Sequence, residues 1–200
     1  FDGFYSLDLR EFSDVFKQIY FGTNASRNLK NFLGVSHVTN PTNSVDWLPC
    51  GSALPMVSAG QNPLFVPAEK TLETVLASGF DPTHVVCLSD FYRGQIAVTN
   101  GGKARILGTR FSAQRVEAEV EAEAPSMVVV AQAFYHPWQA YVGDQPVRLL
   151  QANHAFQALE VPAGRHRVAL VYRDTRFTAG CALSILTFVV SVAWLWRTRC

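Results

Sequence analysis

Apolar and polar positions change rhythm along this chain, and the changes mark its elements. The plainest stretch is Phe177–Trp196, which carries no charge and no proline. Its length of about 20 residues matches the hydrocarbon thickness of a bilayer at a helical rise of ~1.5 Å per residue. Trp194 and Trp196 stand at its end, where indoles favour the interface, and Arg197 and Arg199 follow. A membrane-spanning helix is therefore expected over 177–196, with a short basic tail at 197–200. The alternative is a buried core helix, which would normally show a polar stripe.

Upstream, the period is two. Arg115–Ala122 sets Val116, Ala118, Val120 and Ala122 against Glu117, Glu119 and Glu121. That is a half-buried strand with a solvated acidic face. Met127–Ala133 is continuously apolar and suits an inner strand. Gln139–Val142 and Pro146–Leu150 flank the turn Gly143-Asp144-Gln145. Phe156–Val161 and His166–Tyr172 flank Pro162-Ala163-Gly164. Gln95–Thr99 and Ala104–Thr109, around Asn100-Gly101-Gly102, read as another hairpin. Short strands at this spacing predict a β-sandwich over 91–174.

The first 90 residues are mixed. Leu7–Tyr20 and Leu29–Leu33 have helical spacing, and Val35–Thr39 reads as a strand ended by Asn40-Pro41. Thr42–Pro67 reads as loops with short strands near Leu54–Val57 and Leu64–Val66. Pro67–Gly79 reads as a helix and His84–Leu88 as a strand. The fold class expected is mainly β, sandwich-like, with a smaller α/β region at 1–90 and one C-terminal membrane helix.

Composition agrees with a membrane attachment. Of 200 residues only 16% are charged, against a usual ~25%. The net charge of +1 favours no nucleic-acid partner. The first residue is Phe1 and no leader is visible in Phe1–Arg10, so upstream sequence is expected. None of the four cysteines forms a Cys-x-x-Cys pair, so no zinc site is expected. Cys50 and Cys87 are either a disulfide or free thiols.

Candidate chemistry is sparse. Tyr135, Trp138 and Tyr141, with Phe134, are candidates for a glycan platform, because aromatic faces stack on sugar rings; packing in the sandwich is the simpler reading. Arg173 and Arg176, with Arg165 and Arg167, are placed near the membrane and are candidates for lipid phosphate. His136, His154 and His166 lack ligand spacing. Asp144 reads as a turn residue, and Glu117, Glu119, Glu121 and Glu123 as the wet face of a strand. Asp90 and Glu160 complete the carboxylates considered. Asn24-Ala25-Ser26 fits a glycosylation sequon. No catalytic residue, cofactor or metal site is expected.

Several segments resemble one family. Val128–Tyr141 (VVVAQAFYHPWQAY), Val142-Gly143-Asp144, Leu159–His166 (LEVPAGRH), Tyr172 and the apolar helix occur in that order. So do Asp2-Gly3-Phe4-Tyr5 and Leu33-Gly34-Val35-Ser36-His37-Val38. The set resembles the C-terminal end of bacterial YfhO-like membrane proteins. His136-Pro137-Trp138 replaces their Pro-Gly-Trp, and Gly143-Asp144 reverses their Asp-Gly. The resemblance implies a multi-pass membrane glycosyltransferase similar to the GT-C class. Such proteins take a polyprenyl-phosphate sugar and modify envelope glycans or lipids at the outer face of the cell membrane. It also implies an extracytoplasmic soluble part and a cytoplasmic C-terminus. The catalytic acidic residue of that class lies in an early outer loop, so the resemblance assigns none here. The competing reading is a membrane-anchored, non-enzymatic module that binds glycan or protein.

Overall fold

Strands β7 (Arg115–Ala122), β9 (Trp138–Val142) and β13 (Gly164–Tyr172) pair side by side in the computed structural model, which describes residues 9–20, 27–40 and 42–199. With β6 (Ala104–Ser112) and β10 (Gln145–Val147) they form an antiparallel sheet ordered β10-β9-β13-β7-β6. A six-stranded sheet lies against it, ordered β3-β8-β12-β11-β5-β4. Its members are β3 (Val57–Ala59), β4 (Asn62–Val66), β5 (Val85–Ser89), β8 (Ser126–Ala133), β11 (Leu150–Ala152) and β12 (Phe156–Val161). Only β4 and β5 run parallel among the described pairs. The protein is mainly β, as the alternation indicates.

Alternation explains the layering. Val116, Ala118 and Val120 of β7, with Val168 and Leu170 of β13, point into the space between the sheets. There they meet Val128, Val130 and Leu159 of the second sheet. The six-stranded sheet is covered on its other face as well, by α1 (Arg10–Tyr20) and α2 (Arg27–Phe32). Met127, Val129 and Phe156 face Val15, Leu29 and Phe32 there. This is why β8 opens on a continuous run of buried residues: a strand with both faces covered has no wet side.

Several expectations need correction. Strands from both sides of residue 90 share the six-stranded sheet, so a boundary at 90 divides neither the sheet nor its core. Gln95–Thr99 is not a strand, and β6 pairs with β7 instead. The glycines read as a turn serve a close crossing. A Cβ on Gly101 would sit 2.7 Å from the Gly60 carbonyl, and one on Gly102 would collide with Ser126 Oγ. Glu160 secures this segment by accepting from the Ala97 and Val98 amides at 2.7 and 2.9 Å.

The helix expected over Pro67–Gly79 is shorter. A 3-10 turn at Ala68–Lys70 leads into α3 (Thr71–Leu76), and the backbone leaves helical geometry at Ala77. Asn43–Pro49, expected as a loop, is a strand, β2, which pairs with β1 (His37–Asn40). Helix α4 (Thr175–Arg199) begins two residues before the apolar run. Asp174 Oδ1 caps it by accepting from Phe177 N at 2.9 Å. The start of the Leu7–Tyr20 helix, Asp2-Gly3-Phe4-Tyr5, the sequon Asn24-Ala25-Ser26, Pro41 and Cys200 lie outside the described residues.

Candidate functional site

The sandwich passes directly into α4: only Arg173 and Asp174 separate β13 from it. At this junction the loop after β8 meets the last residue of β13. Trp138 is 9% exposed and meets Tyr172 edge-on at 5.5 Å between centroids. Tyr135 stacks on Tyr172 at 6.3 Å. The Arg173 amide donates to the Pro137 carbonyl at 2.9 Å, tying the loop to the helix start. Desolvation, then the Asp174 carboxylate, pushes the Tyr172 phenol up.

These contacts revise the glycan platform. Trp138, Ala140 and Val142 are buried toward the core, whereas Gln139 is exposed and Tyr141 half-buried. The strand's two-residue period therefore puts Tyr141 on the face opposite Trp138. Tyr141 donates to Gln139 Oε1 at 2.9 Å on that outer face. Tyr135 and Trp138 share a cluster through Tyr172, and Tyr141 does not join it. Trp138 is a packing residue.

The four arginines separate too. Arg173 and Arg176 are exposed at the start of α4 and make no ion pair among the described residues. Arg165 lies seven residues up β13 from Tyr172, roughly 23 Å away at ~3.3 Å per residue. It pairs with Glu119 at 2.8 Å, and Arg167 pairs with Glu117 at 2.7 Å. Arg115 also reaches Glu117 at 2.6 Å. Hydrogen bonds from Arg115 and then Arg167 hold the Glu117 carboxyl below its usual range. The acidic face of β7 is thus matched by cations on its neighbours. Arg165 and Arg167 belong to that ladder and not to the start of α4.

Helix α4 is the one described helix long and apolar enough to cross a membrane, and its apolar side chains are exposed all round. The hydroxyls of Ser184, Thr187 and Ser191 donate to the carbonyls four residues back, at 2.9, 3.1 and 2.8 Å. Internal bonds of this kind suit a polar group in lipid, where no water can serve it.

A second site has no counterpart in the reading of the sequence. A cavity of about 410 Å³ lies among α1, α3, β5 and the β11–β12 turn. His154 and Cys87 both line it. The pair invites comparison with a thiol–imidazole dyad, but the geometry opposes one. Burial pushes the Cys87 thiol up to about 12, and a protonated thiol is a poor nucleophile. Asn153 is spent on backbone, accepting from Cys87 N at 2.8 Å. His154 Nδ1 meets Thr71 Oγ1 at 2.8 Å instead. Burial pushes the imidazole down, opposed by the Asp14 and Glu11 carboxylates. Among the described residues no group of three His, Cys, Asp or Glu side chains converges as a metal site.

Cys50, Cys87 and Cys181 are free thiols, so the Cys50–Cys87 disulfide does not form. Alkylation of the folded chain should label Cys50 well before Cys87. The upward shift from 9.0 to about 12 alone lowers the Cys87 thiolate fraction by about a thousandfold. Peptide mapping after iodoacetamide reads this, and equal labelling of the two thiols would show that β5 is not buried.

The residues of this cavity come from distant segments, Thr71 and His154 lying 83 positions apart and Glu11 further away still, so no local spacing unites them. The one sequence signal is Asn153-His154 between two strands, a pair tolerant of left-handed backbone. No protein-family model matches the chain, and no curated protein matches it.

Proposed function

We propose that this chain is the outer accessory part and a membrane span of a multi-pass membrane glycosyltransferase. It would use a polyprenyl-phosphate sugar to modify envelope glycans or lipids in a bacterial cell membrane. The observation that carries the reading is the rigid junction of sandwich and helix. β13 runs into α4 with a two-residue connector, and the Pro137 loop is bonded to that connector. A module tethered merely for display would tolerate a flexible linker. The ordered motifs from Val128 to Tyr172 support the family, and the apolar helix supports a span.

The β1–β2 hairpin supports a larger assembly. Val45 and Trp47 are 80% and 63% exposed on it. A two-stranded hairpin is marginal alone in water, and clustered apolar exposure marks a covered surface. On this reading the sandwich stands outside, the C-terminus is cytoplasmic, and Arg173 and Arg176 lie at headgroup level. Catalysis resides in an early outer loop of the whole protein.

Sequence upstream of Phe1 tests the reading first: it requires further apolar spans and an acidic residue in an outer loop. A leader peptide alone ahead of Phe1 refutes it. Deleting residues 1–174 from the whole protein should then abolish transfer of labelled sugar from the polyprenyl-phosphate donor to envelope polymers. Undiminished transfer would refute the accessory role.

A further inference from the structure

We infer that the β8–β9 loop, residues 134–137, is an interfacial anchor that docks the sandwich onto the lipid headgroups around α4. This docking rests on the reading of α4 as a membrane span. It adds a second contact with the bilayer, one that fixes how the sandwich stands on it.

The loop cannot stand away from the helix start. The Arg173 amide donates to the Pro137 carbonyl at 2.9 Å. On the other side of β13 the Tyr172 amide donates to the Gln114 carbonyl, in the β6–β7 turn, also at 2.9 Å. The Trp138 amide closes a turn onto the Tyr135 carbonyl at 3.0 Å, and the Phe134 amide donates to the Ala155 carbonyl at 2.7 Å. Loop, connector and both sheets are thus bonded together. Phe177, where the apolar run begins, is four positions beyond Arg173. With the connector extended at ~3.3 Å per residue and α4 rising ~1.5 Å, that path is roughly 10 Å at most. The headgroup layer on each side of a bilayer is roughly 5–8 Å deep. The loop is therefore held at the edge of that layer, within reach of a tyrosine side chain.

Exposed apolar side chains gather at this end of the sandwich. Met56, Phe111 and Tyr135 are 39%, 47% and 38% exposed. Phe111 is paired with Val116, whose partner Leu170 stands two residues before Tyr172. The Met56 carbonyl accepts from the Ala131 amide, two residues before β8 ends. The turns at the opposite end, 123–125, 143–144 and 162–163, contain no aromatic residue, and two of them carry a carboxylate, Glu123 and Asp144. One end of the body is made for an apolar neighbour and the other for water.

The chemistry of the loop fits lipid. Tyr135 stacks on Tyr172 at 6.3 Å, and Tyr172 meets Trp138 edge-on at 5.5 Å. Stacking holds the Tyr135 ring while more than a third of the residue stays open. A side chain with an apolar ring and a polar tip is favoured at headgroup level. His136 is exposed beside it. Arg173 and Arg176 are exposed without an ion pair among the described residues. The loop contains no carboxylate, and Asp174 Oδ1 is engaged in capping α4. Open aromatic side chains beside two free guanidinium groups suit anionic phospholipid, which α4 itself brings to this end.

The test uses the ¹⁵N-labelled full chain in nanodiscs of phosphatidylcholine and phosphatidylglycerol. A soluble gadolinium chelate relaxes amides open to water. A lipid with gadolinium on its headgroup relaxes those at the surface, and a nitroxide deep in the acyl chain relaxes those in the span. Tyr135 and His136, exposed on the chain itself, should lose relaxation by the chelate and gain it from the gadolinium lipid. Ala163 and Asp144, at the far end, should stay open to the chelate. Tyr135→Asp sets a carboxylate against lipid phosphate and should restore chelate relaxation at His136. Circular dichroism confirms the fold; if Tyr135→Asp does not fold, His136→Asp, read at Tyr135, decides. Loop amides as open to the chelate as Ala163 overturn the anchor, while relaxation of Leu186 by the deep nitroxide shows in the same sample that the span stands. No relaxation at Leu186 overturns span and anchor together. A loop shielded from the chelate yet unrelaxed by the gadolinium lipid is covered by protein, which also overturns the anchor. So does a folded variant shielded like the parent.

Discussion

Truncating Phe156 to alanine is expected to lower the unfolding free energy by about 3–5 kcal/mol. Phe156 is fully buried at the start of β12. Its ring meets Phe32 of α2 edge-on at 5.0 Å and Phe12 of α1 edge-on at 6.1 Å. One side chain therefore fastens both helices to the six-stranded sheet. Its loss removes the transfer free energy of the ring, leaves a cavity and breaks two aromatic contacts worth about 0.5–1.5 kcal/mol each. Domains are stable by only about 5–15 kcal/mol in all, so this is a large share. Denaturant unfolding followed by circular dichroism reads the change as a lower midpoint at similar slope. Amide exchange should also show α1 and α2 losing protection before the strands. A midpoint within error of the parent would mean that the helices are not packed on that face.

An arginine in place of Leu186 should expel α4 from the bilayer. Leu186 lies near the middle of Thr175–Arg199, where an arginine costs about 3 kcal/mol on insertion scales. No acidic residue occurs on the helix to offset it. Insertion of the span into microsomes, read by glycosylation-site mapping, should fall sharply for Leu186→Arg. Thr198→Arg, beside Arg197 at the helix end, should insert like the parent because its side chain reaches the interface. Equal insertion of both variants would show that α4 lies elsewhere than across the membrane. The sandwich should stay folded in both, since α4 contributes nothing to its core clusters.

Elements governed by their own immediate surroundings were legible. β7 runs from Arg115 to Ala122, the limits its alternation indicates. β8 shows the buried run expected of an inner strand, and α4 contains the whole apolar stretch. Elsewhere local signals misled. Gly101 and Gly102 look like a hairpin turn, yet their lack of Cβ is used where the chain passes Gly60 and Ser126. β2 was hidden because Asn43, Asp46 and Pro49 are poor strand formers, and it is a strand only through pairing with β1. Trp138 shows both sides. Its own alternation with Ala140 pointed to packing, but its partner Tyr172, which makes it a junction residue, lies at the end of another strand.

The sequence by itself determined the mainly β character, the inward and outward faces of the clear strands and the apolar helix. These follow from transfer free energies and periodicities that act over a few neighbouring residues. The tertiary structure decided the strand order, the union of strands from both sides of residue 90 and the division of four arginines between an ion-pair ladder and the start of α4. It alone assembled the His154 cavity. Thr71 and His154 are 83 residues apart, and Cys87 and Asn153 are 66 apart. Contacts at such separation form only once the sheets have stacked, because closing those loops costs entropy that only the buried core can offset.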